Sequence, residues 1–169
     1  IIHNYTLPAE QFQFLMAPLY GTASKSMNGL ARLSYTWMPG NNGQQVIFSM
    51  AGSSFNGDEF TDSTGKKNYL RFSKIVPSVK FLFANTSPLS TVTKFLQWKT
   101  FFVAEQGLQF TRDTINDVDN ITYPTSNRYI NQLQFVIENS RKLYPYKAQL
   151  LLEQGESFGR LAFTGNYFF

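Results

Sequence analysis

The stretch Arg160-Leu161-Ala162-Phe163-Thr164-Gly165-Asn166-Tyr167-Phe168-Phe169 decides the fold. One phase holds Leu161, Phe163, Gly165, Tyr167 and Phe169; the other holds Arg160, Ala162, Thr164 and Asn166. An extended strand sends successive side chains to opposite sides, so a period of two makes one face apolar and the other polar. The same phasing recurs upstream. Gly29, Ala31, Leu33, Tyr35 and Trp37 alternate with Leu30, Arg32, Ser34 and Thr36. Tyr129, Asn131, Leu133, Phe135 and Ile137 alternate with residues that include Gln132, Gln134 and Glu138.

Working outward, this period predicts eight strands near 11–20, 28–38, 44–54, 69–84, 92–104, 129–140, 147–154 and 158–169. Turn formers separate several of them: Pro39-Gly40-Asn41-Asn42-Gly43, Asn85-Thr86-Ser87-Pro88, Pro145 and Gly155. Ile1–Tyr5 reads as the end of a further strand. Val92–Glu105, with Ser90 as a cap, and Ile130–Leu143 also carry helical spacing. The expected fold is all-β, an antiparallel up-and-down meander of about eight strands forming part or all of an outer-membrane β-barrel. Residues 1–169 form a single β-barrel region in this reading. Because the chain opens at Ile1 without a Met or a signal-like segment, that region is expected to be a fragment of a larger protein.

Composition removes other classes. Charged residues make up 15% of the chain, against about 25% in ordinary soluble domains. Aromatic residues reach 17%, which excludes a disordered tail. The absence of Cys excludes a disulfide scaffold and a thiolate metal site. No run approaches the roughly 20 apolar residues of a membrane-spanning helix. The net charge of +4 is spread over scattered Lys and Arg, so no nucleic-acid partner is expected.

Alternation alone allows two opposite solutions. A soluble, lipocalin-like barrel binding a small apolar ligand turns its apolar phase inward. A membrane barrel turns that phase to lipid and its polar phase to the lumen. Strands of about ten residues or more, Tyr and Trp toward strand ends, a low charge concentrated in connectors, and an amide- and hydroxyl-rich polar phase favour the membrane. Connectors agree: 21–27, 55–68, 105–128 and 155–157 fall at one end, and the shorter 39–43, 85–91 and 141–146 at the other. Lipid-facing positions are then Leu33, Tyr35, Trp37, Leu133, Phe135, Leu161, Phe163, Tyr167 and Phe169. Lumen-facing positions are Arg32, Ser34, Thr36, Gln132, Gln134, Glu138, Arg160, Thr164 and Asn166. The expected partner is membrane lipid, and the expected location is a bacterial outer membrane.

Catalytic patterns dissolve on inspection. Gly155-Glu156-Ser157-Phe158-Gly159 matches a nucleophile elbow, but that motif needs a strand-to-helix turn and a His base. Here it lies between two strand patterns, and the one His, His3, stands near the N-terminus. A hairpin turn is the expected structure. Asp113, Asn116, Asp117, Asp119 and Asn120 offer oxygens to Ca²⁺ without the spacing or central Gly of an EF-hand. Gly65-Lys66-Lys67 lacks the preceding Gly and following Ser/Thr of a phosphate loop. No catalytic residue, cofactor or metal is expected in this chain.

Phe12-Gln13-Phe14-Leu15-Met16-Ala17-Pro18-Leu19-Tyr20-Gly21-Thr22, Ser24-Lys25 and Gly29-Leu30-Ala31-Arg32-Leu33-Ser34-Tyr35 resemble a barrel region of Bacteroidota-type outer-membrane proteins. Asn68-Tyr69-Leu70-Arg71-Phe72 and Leu150-Leu151-Leu152-Glu153-Gln154-Gly155 are similar to segments of the same barrel. In those proteins the barrel follows a gluzincin aminopeptidase-like domain with a His-Glu-x-x-His zinc motif. That motif has no counterpart here, so the resemblance implies a membrane anchor or channel wall with its peptidase domain elsewhere.

Overall fold

The computed structural model describes residues 1–40, 44–62, 65–85, 87, 89–113 and 118–167. Eleven strands are present: β1 (Ile2–His3), β2 (Phe12–Gly21), β3 (Ser26–Trp37), β4 (Gln45–Thr61), β5 (Lys67–Leu82), β6 (Val92–Gln106), β7 (Gln109–Asp113), β8 (Val118–Thr122), β9 (Thr125–Asn139), β10 (Tyr146–Gly155) and β11 (Gly159–Tyr167). Nine form one antiparallel meander in the order β1-β2-β3-β4-β5-β6-β9-β10-β11, and β7 pairs with β8 alone. The described residues contain no helix. Val92–Glu105 is strand throughout and Ile130–Leu143 is strand as far as Asn139, because period-two faces and two ladder partners each outweigh the helical spacing. Ser90 does cap locally: the amide of Val92 donates to its Oγ at 3.3 Å.

Two expectations about the connectors need correction. The segment 55–68 is mostly strand, since β4 runs on to Thr61 and β5 starts at Lys67. The segment 105–128 is likewise no irregular loop among its described residues. β6 continues to Gln106, β9 starts at Thr125, and the β7–β8 hairpin fills much of the space between. The asymmetry between the two ends therefore comes from projecting strands. Those strands are β4 (17 residues), β5 (16), β6 (15) and β9 (15). A bulge between Asn56 and Asp58 marks where the projection of β4 begins. Phe60 on it meets Phe110 of β7 edge to face, with centroids 5.6 Å apart.

The sheet does not close. Among the described residues every strand neighbours only its ladder partners, and β11 has no strand on its outer side. β2 carries β1 on its outer edge through Ile2↔Met16 and His3↔Leu15. Below that pair, Asn4 imitates a strand with its side chain: Nδ2 donates to the Phe12 carbonyl (2.8 Å), and Oδ1 accepts from the Phe14 amide (2.7 Å).

A single open layer leaves an unusual surface. The chain exposes 12297 Å², whereas a compact monomer of its mass would expose roughly 8,500 Å². Val46, Leu70 and Val136 are the only buried apolar side chains among the described residues.

The close pairing of β2 with β3 depends on Gly29. Its φ is +141°, and the Ala17 carbonyl oxygen occupies the place a Cβ would take, with Pro18 Cα 3.1 Å away. Gly29→Ala is expected to destabilise the fold by about 1–3 kcal/mol. Gly52→Ala, whose nearest neighbouring atom would be 3.9 Å off, should be close to neutral. Urea midpoints of the two variants check the contrast.

Candidate functional site: the two faces of the sheet

Directly paired residues in an antiparallel ladder point to the same side, so the register alone sorts the faces. One rung reads Phe12, Tyr35, Phe48, Val79, Trp98, Leu133, Leu152 and Leu161 across all eight long strands. The next toward the short turns reads Trp37, Val46, Phe81, Leu96, Phe135, Leu150 and Phe163. Tyr167 opposes Tyr146 on the same side. Leu33, Tyr35, Trp37, Leu133, Phe135, Leu161, Phe163 and Tyr167 thus share one continuous apolar face. Phe169 lies outside the described residues.

The opposite rung reads Gln13, Ser34, Ser49, Ser78, Lys99, Gln132, Glu153 and Arg160. Arg32, Thr36, Gln134, Glu138, Thr164 and Asn166 are on this side too. Cross-strand polar contacts knit it together. Ser49 and Ser78 hydroxyls are 2.7 Å apart, and Glu153 accepts from Gln132 (2.8 Å) and pairs with Arg160 (2.6 Å). Lys147 pairs with Glu138 at 3.2 Å, and Arg128 with Glu105.

Burial inverts the pattern of a water-soluble protein. On the apolar face Tyr35, Phe48, Met50, Trp98, Leu133 and Leu150 are all exposed, and Phe163 is 72% exposed. On the polar face Ser34 is buried, and Ser49, Ser78, Lys80, Lys99, Gln132 and Gln134 are half-buried. No second layer covers either side. Unequal coverage of two uncovered faces means that the sheet curves, crowding the side chains on its inner surface. The polar face is the inner one.

That crowding also explains a feature the alternation did not announce. The polar side contains apolar residues, among them Phe95 and Val136, which are paired with each other. Val136, at 1% exposure, is the most buried side chain among the described residues. The Lys80 ammonium lies 3.9 Å from the Phe95 ring centroid, a cation–π contact that leaves its charge on the inner surface.

The apolar band runs obliquely. On β2 it is centred near Met16, whose rung passes through Ala31, Gly52, Ile75, Phe102 and Tyr129. On β11 it is centred near Phe163, whose rung crosses β9 at Phe135, six residues from Tyr129. Six residues are about 20 Å along the strands, and the seven gaps between eight strands are about 34 Å, giving a slope of roughly 30°. Tyr20 on β2 and Tyr129 on β9 stand at the band's upper margin. Trp37 on β3, Tyr146 on β10 and Tyr167 on β11 stand at its lower one.

Gly155–Gly159 is a hairpin turn closed by the Gly155 amide on the Phe158 carbonyl (2.9 Å), so Ser157 is on no elbow. A hollow of about 290 Å³ beside Ile75, Phe102 and Tyr129 brings only Arg128 and Glu156 as further ionisable groups. Asn116 and Asp117 fall outside the described residues. No family model, curated protein or solved structure matches the chain.

Glu153 is the most covered carboxylate in these ion pairs, its side chain 14% exposed against 46% for Glu138. Glu153→Ala strands Arg160 and Gln132 and is expected to cost about 1–3 kcal/mol. Glu138→Ala removes a half-exposed pair and should cost under about 1 kcal/mol. Chemical denaturation of both variants ranks them.

Proposed function

We propose that this sheet is part of the wall of an outer-membrane β-barrel, its apolar face against lipid and its polar inner face lining the lumen. The observation that carries the reading is the inverted burial: a curved sheet with polar residues crowded inside and Phe, Leu, Tyr and Trp exposed outside. Water penalises such an exterior, and a bilayer rewards it. The oblique band adds support. Strands in a membrane barrel tilt by about 35–45°, so a level hydrocarbon slab crosses a sheet of tilted strands at a comparable slope. Aromatic side chains at both margins fit the girdles of such proteins. Closing the barrel then takes strands beyond the nine of this sheet. The resemblance noted above extends the proposal to an anchor for a gluzincin aminopeptidase-like domain, in a bacterial outer membrane.

Adjacent residues of β11 test the faces. Phe163→Arg is expected to destabilise the barrel by about 2–4 kcal/mol if it lies near the bilayer midplane. Thr164→Arg, one residue on and facing the lumen, should cost much less. Folding titrations into lipid vesicles measure both; equal costs would abolish the assigned faces, and a greater cost at Thr164→Arg would exchange them.

Topology is tested from outside the cell. The projecting end is assigned to the exterior, as outer-membrane barrels keep their longer elements there. Trypsin added to intact cells should cut after Lys66 or Arg112 before Arg141 or Lys142. Peptide mass mapping identifies the first cut, and the reverse order would turn the barrel upside down.

A further inference from the structure

Charge on the inner face is unevenly matched. Three of its strand carboxylates, Glu105, Glu138 and Glu153, are each engaged by a cation, Arg128, Lys147 and Arg160; the fourth, Asp58, stands apart on the projecting end of β4, opposite Leu70. Arg32, Lys74, Lys80 and Lys99 point to the same side, and no carboxylate among the described residues lies within ion-pair distance of any of them.

These four cations are ordered. Lys74 opposes Ser53, Arg32 opposes Ala51, Lys99 opposes Ser78, and Lys80 opposes Gln97. The ladder places them on four successive inward-facing rungs of β3, β5 and β6. Each rung is two residues from the next, so the series covers roughly 20 Å along the strands. Between them stand the hydroxyls of Ser49, Ser53 and Ser78. Paired Lys or Arg would fix structure; a row of unpaired ones leaves a positive potential over the inner surface. Ring-like sets of Lys and Arg in a pore favour anions, and an aqueous cleft with low-dielectric walls concentrates the attracted ion.

We propose that this row is an electrostatic track for small anionic solutes along the lumen wall. The inference rests on the membrane-barrel reading, because only that reading makes the inner face a water-filled passage. Carboxylate, phosphate and sulfonate groups share the chemistry it recognises: a compact negative charge with acceptor oxygens for ammonium, guanidinium and hydroxyl donors.

Ser78 is the natural reporter, directly opposite Lys99 and two residues from Lys80. Ser78→Cys is placed in the intact protein carrying this chain, whose described sequence has no other Cys; any cysteine elsewhere is replaced. The protein is reconstituted in phosphatidylcholine vesicles and treated with methanethiosulfonates bearing a sulfonate or a trimethylammonium group. Rates are normalised to those of a free thiol. The expected preference for the anionic reagent is about tenfold. Lys80→Gln with Lys99→Gln should lower it several-fold, and Lys80→Arg with Lys99→Arg should retain it. Lys147→Gln, which removes a paired cation on distant strands, should lower it far less than the double Gln variant.

An anionic preference absent, or unmoved by the double Gln variant, overturns the track. Leu133→Cys on the opposite face separates this from failure of the barrel reading. If that thiol in lipid reacts with both reagents as fast as the Ser78→Cys thiol, the apolar face is not in the membrane. Silence of the Ser78→Cys thiol toward both reagents overturns track and lumen together.

Discussion

Antiparallel pairing keeps a single phase from Phe12 to Tyr167, and that shared phase is what the molecule depends on. Because opposed residues point the same way, each added strand extends two faces already defined by its neighbour. A slip of one residue at any of the seven junctions would reverse every strand beyond it. The apolar side chains would then divide between both surfaces. The tolerated irregularity, the bulge at Asn56 and Asp58, sits above the apolar band, where a change of phase affects only the projecting part of β4.

Much of this was legible in the alternation. The final segment, the run from Gly29 to Trp37 and the run from Tyr129 to Ile137 gave the correct strands and phases, because their apolar and polar residues separate cleanly. Connector structure was harder to read. Polar, acidic residues at 55–68 and 105–128 look like loop, yet an antiparallel hairpin that projects into water also takes polar residues on both sides. Only the pairing partners, such as Thr61↔Lys67 and Arg112↔Asp119, distinguish the two. Curvature left no sequence signal either. Nothing in the residues around Val136 announces that it is the most covered side chain, since the crowding comes from strands far apart in sequence. The order of Arg32, Lys74, Lys80 and Lys99 on adjacent rungs was equally hidden, because it depends on the register of three strands.

The two faces also differ in how strongly they hold the fold. Hydroxyl and amide pairs on the inner face, such as Ser49 with Ser78 and Gln132 with Glu153, give direction to the register, because each pairing is lost on a slip. Apolar contacts on the outer face give little of that. An exposed Leu or Phe gains similar surroundings from lipid whichever neighbour it has, so on the proposed reading the outer face fixes depth in the membrane more than pairing. On that reading the inner face fixes the register, and the outer face fixes immersion.

The two edges of the sheet make unequal demands. On β2 the backbone is partly satisfied, since Ile2, His3 and the Asn4 amide take up donors and acceptors between Phe12 and Met16. On β11 about half of the backbone groups point outward with no strand to receive them. Each such group left in hydrocarbon costs several kcal/mol, so a bare edge carrying Leu161 and Phe163 into lipid would undo what the apolar face gains. A partner strand at β11 is therefore the first requirement of the proposed barrel. Its side chains would continue the phase of Leu161, Phe163 and Tyr167 outward. At β2 the incoming strand meets a different situation: it must displace Ile2–Asn4 or extend the short strand they begin.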